Sequence, residues 1–327
     1  MSRRAAINTG LSVVGVALLI WQVQDAGGFA AVRRGLASVG AGFIVVLVLS
    51  FLRFLMRSVA WRALLGAPAP LSAALAATIS GDALGNLTPF GLAASEPAKA
   101  FYLGRHLDPQ RAFAALAAEN FVYSVSVAVY VIGGVVAMLL TFEELPVELR
   151  QGAVAALVLM AAVLAVAGWI AWRRPAMASG VIRRLPFKQA SGLADRMRDL
   201  ETLTYGSASH EAARLGQMAL AEIAFHALSL TESWFVLYLL TGGESSSISG
   251  SLLIEALILD SVSRVINVAF KMVPMRLGVD EIGSEMVGVA IGLGSGSGLI
   301  VALVRKIRML VWAAVGLLLW TRKGVRS

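Results

Sequence analysis

The stretch Pro89-Phe90-Gly91-Leu92-Ala93-Ala94-Ser95-Glu96 returns later in the chain as Pro274-Met275-Arg276-Leu277-Gly278-Val279-Asp280-Glu281. Proline, leucine and glutamate coincide, small residues stand against small ones, and Ser95 faces Asp280, at an offset of 185 (274 against 89). The same offset sets Asn86 against Lys271, and the apolar run Ala112–Leu140 against Gly298–Trp320. Each copy sits in an apolar stretch broken by Gly, Pro and charges, Leu71–Gly104 in the first half and Ser251–Gly294 in the second.

Composition says what solvent surrounds these stretches. Of 327 residues, 58% are hydrophobic and 15% charged, and the mean hydropathy is +0.77. A soluble domain carries roughly 25% charged residues, so a soluble globular enzyme is excluded. Unbroken apolar runs long enough for a hydrocarbon core, which takes about 20 residues per helix, are Ala6–Val23, Leu36–Met56, Ala112–Leu140, Gly152–Trp172, Leu215–Leu240 and Gly298–Trp320. Ala6–Val23 follows Arg3 and Arg4 but lacks a clean small-x-small cleavage site, and reads as a span rather than a leader. The chain has no cysteine, which removes disulfides and thiolate metal sites, and three scattered histidines do not make a zinc site. The net charge of +8 gathers in short loops, so its partner is the anionic headgroup surface and not nucleic acid.

Those loops orient the chain. Arg173–Arg214 is strongly basic and reads as cytoplasmic, whereas Thr141–Arg150, with Glu143, Glu144 and Glu148, reads as outer. Counting from these anchors puts both termini in the cytoplasm, provided each broken stretch enters and leaves on one face. Arg33 and Arg34 are the exception to the charge rule. The predicted fold is an all-α polytopic membrane protein with six full spans and two re-entrant helical hairpins in an inverted repeat. Its first copy covers residues 1–150 and its second, inverted copy 151–327. Gly/Pro-interrupted segments at matching places in two inverted halves point to a transporter with a midplane site.

An ionisable residue near the bilayer centre costs about 2.5–3.5 kcal/mol on insertion scales, so each one present needs a reason. The broken stretches carry Asp82, Glu96 and Lys99, beside Asn86, and then Asp260, Arg264, Lys271, Arg276, Asp280, Glu281 and Glu285. The spans add Glu119, Glu222, His226, Glu232, Arg305, Lys306 and Arg308. Asp260 and Arg264, one helical turn apart, are expected to pair with each other. Lys306 and Arg308 read as surface charges reaching for headgroups. Glu222 and His226, also one turn apart, read either as a proton relay or as an interhelical hydrogen bond. Gly292-x-Gly294-x-Gly296-x-Gly298 lacks the strand and the Lys-Ser/Thr of a phosphate loop and reads as a flexible connection. Trp21, Trp61, Trp172 and Trp320 are expected as interfacial anchors.

Gly81-Asp82-Ala83-Leu84-Gly85-Asn86-Leu87-Thr88-Pro89, followed by Glu96 and Lys99, resembles the first broken helix of the flippase-like domain family, the transmembrane region of lysylphosphatidylglycerol synthases. Pro274-x-x-x-Gly278-x-x-Glu281, with Arg305 in the next span, resembles its second signature. The chain has Ala93 where that family has Gly, and Lys99 where it has Arg, which keeps the charge but not the bidentate fork. The aminoacyl-transferring soluble domain of the synthases has no counterpart in these residues. The resemblance implies a lipid translocase rather than an enzyme, without cofactor or metal, in a bacterial inner membrane. Its partner would be a phospholipid or other polar lipid, and a homo-oligomer stays open. Headgroup ligands would come from Asp82, Asn86, Glu96, Lys99, Glu119, Glu222, Lys271, Arg276, Asp280, Glu281 and Arg305. The residues alone leave two alternatives: a secondary transporter of a small polar solute and, with less support, an intramembrane lipid-modifying transferase.

Overall fold

The computed structural model describes residues 20–24, 28–65, 69–88, 91–103, 108–173, 195, 198–199, 201–202, 204, 212–242, 250–270, 276 and 278–324. Most of the expected span Ala6–Val23, most of the basic loop Arg173–Arg214, Pro89, Pro274 and Lys271 lie outside them. The described residues form ten α-helices and no strand. In chain order these are α1 (Gly28–Val39), α2 (Phe43–Leu65), α3 (Leu71–Leu87), α4 (Gly91–Leu103), α5 (Pro109–Thr141), α6 (Val147–Arg173), α7 (Ala212–Leu240), α8 (Gly250–Ala269), α9 (Val279–Ala290) and α10 (Ser297–Gly324). A 3-10 turn, Gly40–Gly42, joins α1 to α2, so that Gly28–Leu65 runs on as one helical stretch.

Four stretches are long and apolar enough to cross a bilayer: Gly28–Leu65, Gln110–Thr141, Val147–Arg173 and Gly216–Leu240. Helix α10 has 28 residues but carries Arg305, Lys306 and Arg308 in its middle, which sets it apart from these four. The expected span Leu36–Met56 extends at both ends, so Arg57 and Trp61 belong to its helix. Trp61 is accordingly a core residue, 1% exposed, and not an interfacial anchor. Trp172 is 81% exposed at the end of α6, as an anchor should be.

Both broken stretches are indeed pairs of helices. Thr88 precedes a proline, whose ring disfavours helical backbone in the residue before it. Thr88 is extended (φ −113°, ψ 146°) and ends α3, and its hydroxyl donates to the carbonyl of Leu84 at 2.7 Å. In the second stretch the chain returns to helix through Gly278, at φ 82°, in the left-handed region that glycine tolerates. The run of glycines after α9 forms a closed turn rather than a flexible connection. Glu285 turns back into it and accepts from the backbone N–H groups of Gly296 (2.6 Å) and Leu299 (2.9 Å) at the start of α10. Two of the backbone amides that a phosphate would need are therefore taken by Glu285.

Helix α2 packs along α7. Helix α3 packs against α4 and α10, while α8 packs against α9 and α5. Lipid tails are as apolar as leucine, so helices in a bilayer associate through close packing, and small residues at the contacts permit it. Ala74, Ala77, Ala100, Ala112 and Ala115 fill one buried cluster around Trp61, Leu103 and Leu116. Glycines permit several close approaches, two of them between neighbouring long helices. A Cβ on Gly316 of α10 would sit 2.6 Å from the Ile79 carbonyl and from the Ala83 side chain of α3. One on Gly134 of α5 would overlap Ser261 of α8. The outward faces stay apolar: Val154, Val158 and Val166 of α6 and Leu220 and Ile223 of α7 are all more than half exposed. Such a surface needs hydrocarbon around it.

Gly316→Ala should therefore destabilise the protein by about 1–3 kcal/mol, the usual cost of forcing a methyl group into a packed contact. Gly168→Ala, with nothing near its Cβ, should be neutral or mildly stabilising. Thermal unfolding of the purified variants in detergent reads the difference.

Candidate functional site

Helices α2 to α10 line a partly open cavity of about 600 Å³. Its wall is mostly cationic. Eight basic side chains line it (Arg53 and Arg57 of α2, Lys99 of α4, Arg264 of α8, Arg276 before α9, and Arg305, Lys306 and Arg308 of α10) against the three acids Asp82, Glu96 and Asp280. Most of the compensating carboxylates stand behind the cations, away from the cavity.

Each pairing has its own geometry. Arg57 grips Glu119 of α5 with two hydrogen bonds of 3.0 and 2.8 Å. Arg264 holds Asp260 one turn back with bonds of 3.0 and 2.9 Å, and Asp260 also accepts from Ser229 of α7 at 3.1 Å. Lys306 donates to Glu281 at 2.5 Å and to the backbone carbonyl of Arg276 at 3.3 Å. Lys99 pairs with Glu96 at 2.8 Å. Glu232 of α7 is shared, accepting from Arg53 at 3.1 Å and from Arg308. Aromatic faces cover the guanidiniums: Arg57 lies 4.0 Å from the Tyr123 ring centre, Arg264 4.4 Å from Tyr130 and Arg53 4.8 Å from Phe225. Stacking suits arginine, whose planar, weakly hydrated head loses less than an ammonium on leaving water.

Two cavity cations hydrogen-bond to no carboxylate among the described residues, although Asp280, Asp82 and Glu281 lie near Arg276 and Asp260 lies near Arg305. Arg305 donates to the Ser233 hydroxyl at 3.2 Å through Nη2, and its buried Nη1 has no partner. Arg276 has only the Met309 thioether, 3.9 Å away. Arg276 is also the one non-glycine among the described residues with left-handed backbone, at φ 51°. Such a residue stores about 1–3 kcal/mol and persists only where its surroundings hold it. Here Lys306 grips its carbonyl.

The expected headgroup ligands sort into three groups. Asp82, Asn86, Glu96, Lys99, Arg276, Asp280 and Arg305 line the cavity. There Asn86 donates to Asp82 at 2.8 Å and Ser263 to Asp280 at 3.0 Å. Glu119 and Glu281 lie behind the wall as partners of Arg57 and Lys306. Glu119 therefore does not pair with Arg305. Glu222 is away from the wall altogether and binds Ser126 of α5 at 3.0 Å. Lys271 lies outside the described residues. Asp260 and Arg264 pair as expected. Lys306 and Arg308, expected as surface charges, instead face the cavity and bind buried carboxylates. Arg53 and Arg57 were missed. Their signal is their spacing, four apart on one face of an apolar helix; Arg53 lies inside the expected span Leu36–Met56 and Arg57 just beyond its end, so the spacing is not read.

This arrangement defines a helical membrane protein that holds a polar, net-cationic chamber inside its bundle. The chain belongs to the family of the lysylphosphatidylglycerol synthase TM region, whose model matches residues 9–317. No curated protein and no solved structure matches it.

The Arg57–Glu119 pair offers a direct check on the buried charges. Removing one member of a buried pair leaves a bare charge and costs about 3–5 kcal/mol, whereas replacing both with apolar residues of similar size is often neutral. Glu119→Ala should lower stability by that amount, and Arg57→Met/Glu119→Leu should recover most of it. Chemical or thermal unfolding of both variants measures the difference.

Proposed function

We propose that this protein is a lipid translocase that passes a phosphate-bearing polar lipid between leaflets through the cationic chamber. The observation that carries the reading is the pair Arg276 and Arg305, cavity cations with no carboxylate partner among the described residues. A phosphate carried alone into hydrocarbon would cost on the order of tens of kcal/mol, and two guanidiniums held ready remove much of that cost. Arg305 offers its unpartnered Nη1 and Arg276 sits at a helix break. Lys99, Glu96, Asp82 and Asp280 supply both signs of charge for the rest of a headgroup. The family is named for a lipid-handling membrane region, which favours a lipid over a water-soluble solute.

In this reading the protein moves its cargo by rocking two related halves, 1–150 and 151–327, each with three spans and one re-entrant hairpin. The packing supports the repeat. Shifting by 185 residues carries α2 onto α7, α3 onto α8, α4 onto α9 and α5 onto α10. Under that exchange α2–α7 maps onto itself, α3–α10 becomes α8–α5, and the hairpin α3–α4 becomes α8–α9. A close glycine approach occurs at each contact of the exchanged pair, Gly316 on α3 and Gly134 on α8. In this reading the six apolar runs are the spans, the loop charges put both termini in the cytoplasm, the membrane is the bacterial inner membrane that the family resemblance implies, and three spans per half make the repeat inverted.

In liposomes containing the protein, phosphatidylglycerol with a fluorescent headgroup label should cross the bilayer faster than in protein-free liposomes. Arg305→Ala and Arg276→Ala should each slow it roughly ten- to a hundred-fold, the equivalent of the 1.5–3 kcal/mol of a charged hydrogen bond. Arg305→Lys should retain part of the rate. No acceleration with any lipid class would overturn the reading.

A further inference from the structure

Away from the chamber, three side chains meet between α5 and α7. Ser126 Oγ lies 3.0 Å from Glu222 Oε2 and 3.0 Å from His226 Nε2. Glu222 is 3% and His226 8% exposed. The outer atoms of both, Glu222 Oε1 and His226 Nδ1, are buried with no partner. Other buried carboxylates in the bundle are supported. Glu119, Glu232, Asp260 and Glu281 bind cations, and Glu285 binds two backbone amides. Asp280 accepts from Ser263 within the first turn of α9, where the helix terminus favours negative charge. Glu222 has one serine.

We propose that Glu222, Ser126 and His226 form a proton-binding relay, and that a proton is the ion coupled to transport. This inference rests on the lipid-translocation reading and supplies its driving ion. A proton on Glu222 Oε2 passes to Ser126 Oγ as the serine's own proton passes to His226 Nε2. That leaves a carboxylate on Glu222 and an imidazolium on His226, and the imidazolium gives its Nδ1 proton to a water molecule admitted when the halves rock apart. No proton is gained or lost in the exchange, and rotation of the hydroxyl resets the serine. Glu222 faces Arg57 of α2, Glu119 of α5 and Arg264 of α8. His226 faces Arg53 and Arg57 of α2 and Asp260 and Arg264 of α8. Its ring is stacked on Tyr130 (4.9 Å) and Tyr123 (6.5 Å).

The position gives the relay its coupling. Ser126 belongs to the first half, Glu222 and His226 to the second, so rocking of the halves makes and breaks the serine bridge. Tyr123 and Phe225 stand between the relay and the chamber and line the latter. Phe225 packs edge-on against His226 at 5.4 Å. Headgroup and proton therefore occupy separate sites, with Tyr123 and Phe225 shared between their walls.

The test uses the full chain in phosphatidylcholine–phosphatidylglycerol liposomes loaded with a pH-sensitive dye. Fluorescent phosphatidylglycerol is the probe, and a proton gradient is imposed. The expected result is a several-fold change in lipid translocation with the gradient, together with a dye response that requires both protein and lipid. Glu222→Gln and, separately, Ser126→Ala should bring the ratio with and without gradient to one, and Ser126→Thr should restore the response. If one variant does not elute as a folded species, the other variant and the wild-type gradient response decide. Wild-type translocation at the same rate with and without a gradient would overturn the proton inference and leave the translocase standing. No translocation under either condition would overturn both.

Discussion

Positive charge taken out of water is the constraint on which this structure depends. Every guanidinium or ammonium inside the bundle must find a carboxylate, an aromatic face or a ligand, because the hydrocarbon outside offers none of them. The bundle meets the demand by placing cations on the chamber wall and most of their carboxylates one layer further out. Arg57 with Glu119, Arg264 with Asp260 and Lys306 with Glu281 follow that order. Glu232 goes further and serves two cations on different helices, Arg53 and Arg308. Arg276 and Arg305 hydrogen-bond to no carboxylate among the described residues, and under the proposed function a bound anion would complete the pairing.

Helix breaks and small residues are consequences of the same demand. A chamber lined from so many helices needs short ones that enter it and turn. Thr88, made extended by the following proline, and the left-handed pair Arg276 and Gly278 provide the two turns. Close helix contacts in turn need small residues, and the buried alanines around Trp61 and the tight glycines Gly134 and Gly316 supply them. The strained backbone of Arg276 belongs to this economy. Its carbonyl is held by Lys306, whose ammonium also binds Glu281, so one side chain fixes the turn, the acid and the cavity wall together.

Much of this was legible in the sequence, for reasons that differ by residue. Apolar runs separated by charged loops report the solvent directly, and Gly and Pro inside such runs report breaks, so the helical membrane class and the two broken stretches could be read. The i,i+4 pairing of Asp260 with Arg264 is a local matter and was readable too. Partners distant in sequence were not. Nothing near Lys306 or Arg308 in sequence announces Glu281 or Glu232, and long basic side chains in a span read as charges reaching for headgroups. Arg57 was lost because a run of apolar residues was taken to end where its first charges gathered, while the helix itself continues to Leu65. Trp61 was misplaced for the same reason. Ser126 went unnoticed because serine is ordinary in a membrane helix until its neighbours are known.

The central claim is that the chamber, and not the outer surface, receives the polar end of a lipid. A phosphatidylglycerol carrying a photoactivatable group on its headgroup, incorporated with the protein into liposomes and irradiated, tests this most directly. Peptide mapping should place the adducts on chamber residues such as Ser124, Val127 and Met309, with Arg305→Ala reducing them. Adducts confined to the outward faces, at positions such as Val158 and Leu220, and indifferent to Arg305, would contradict the account.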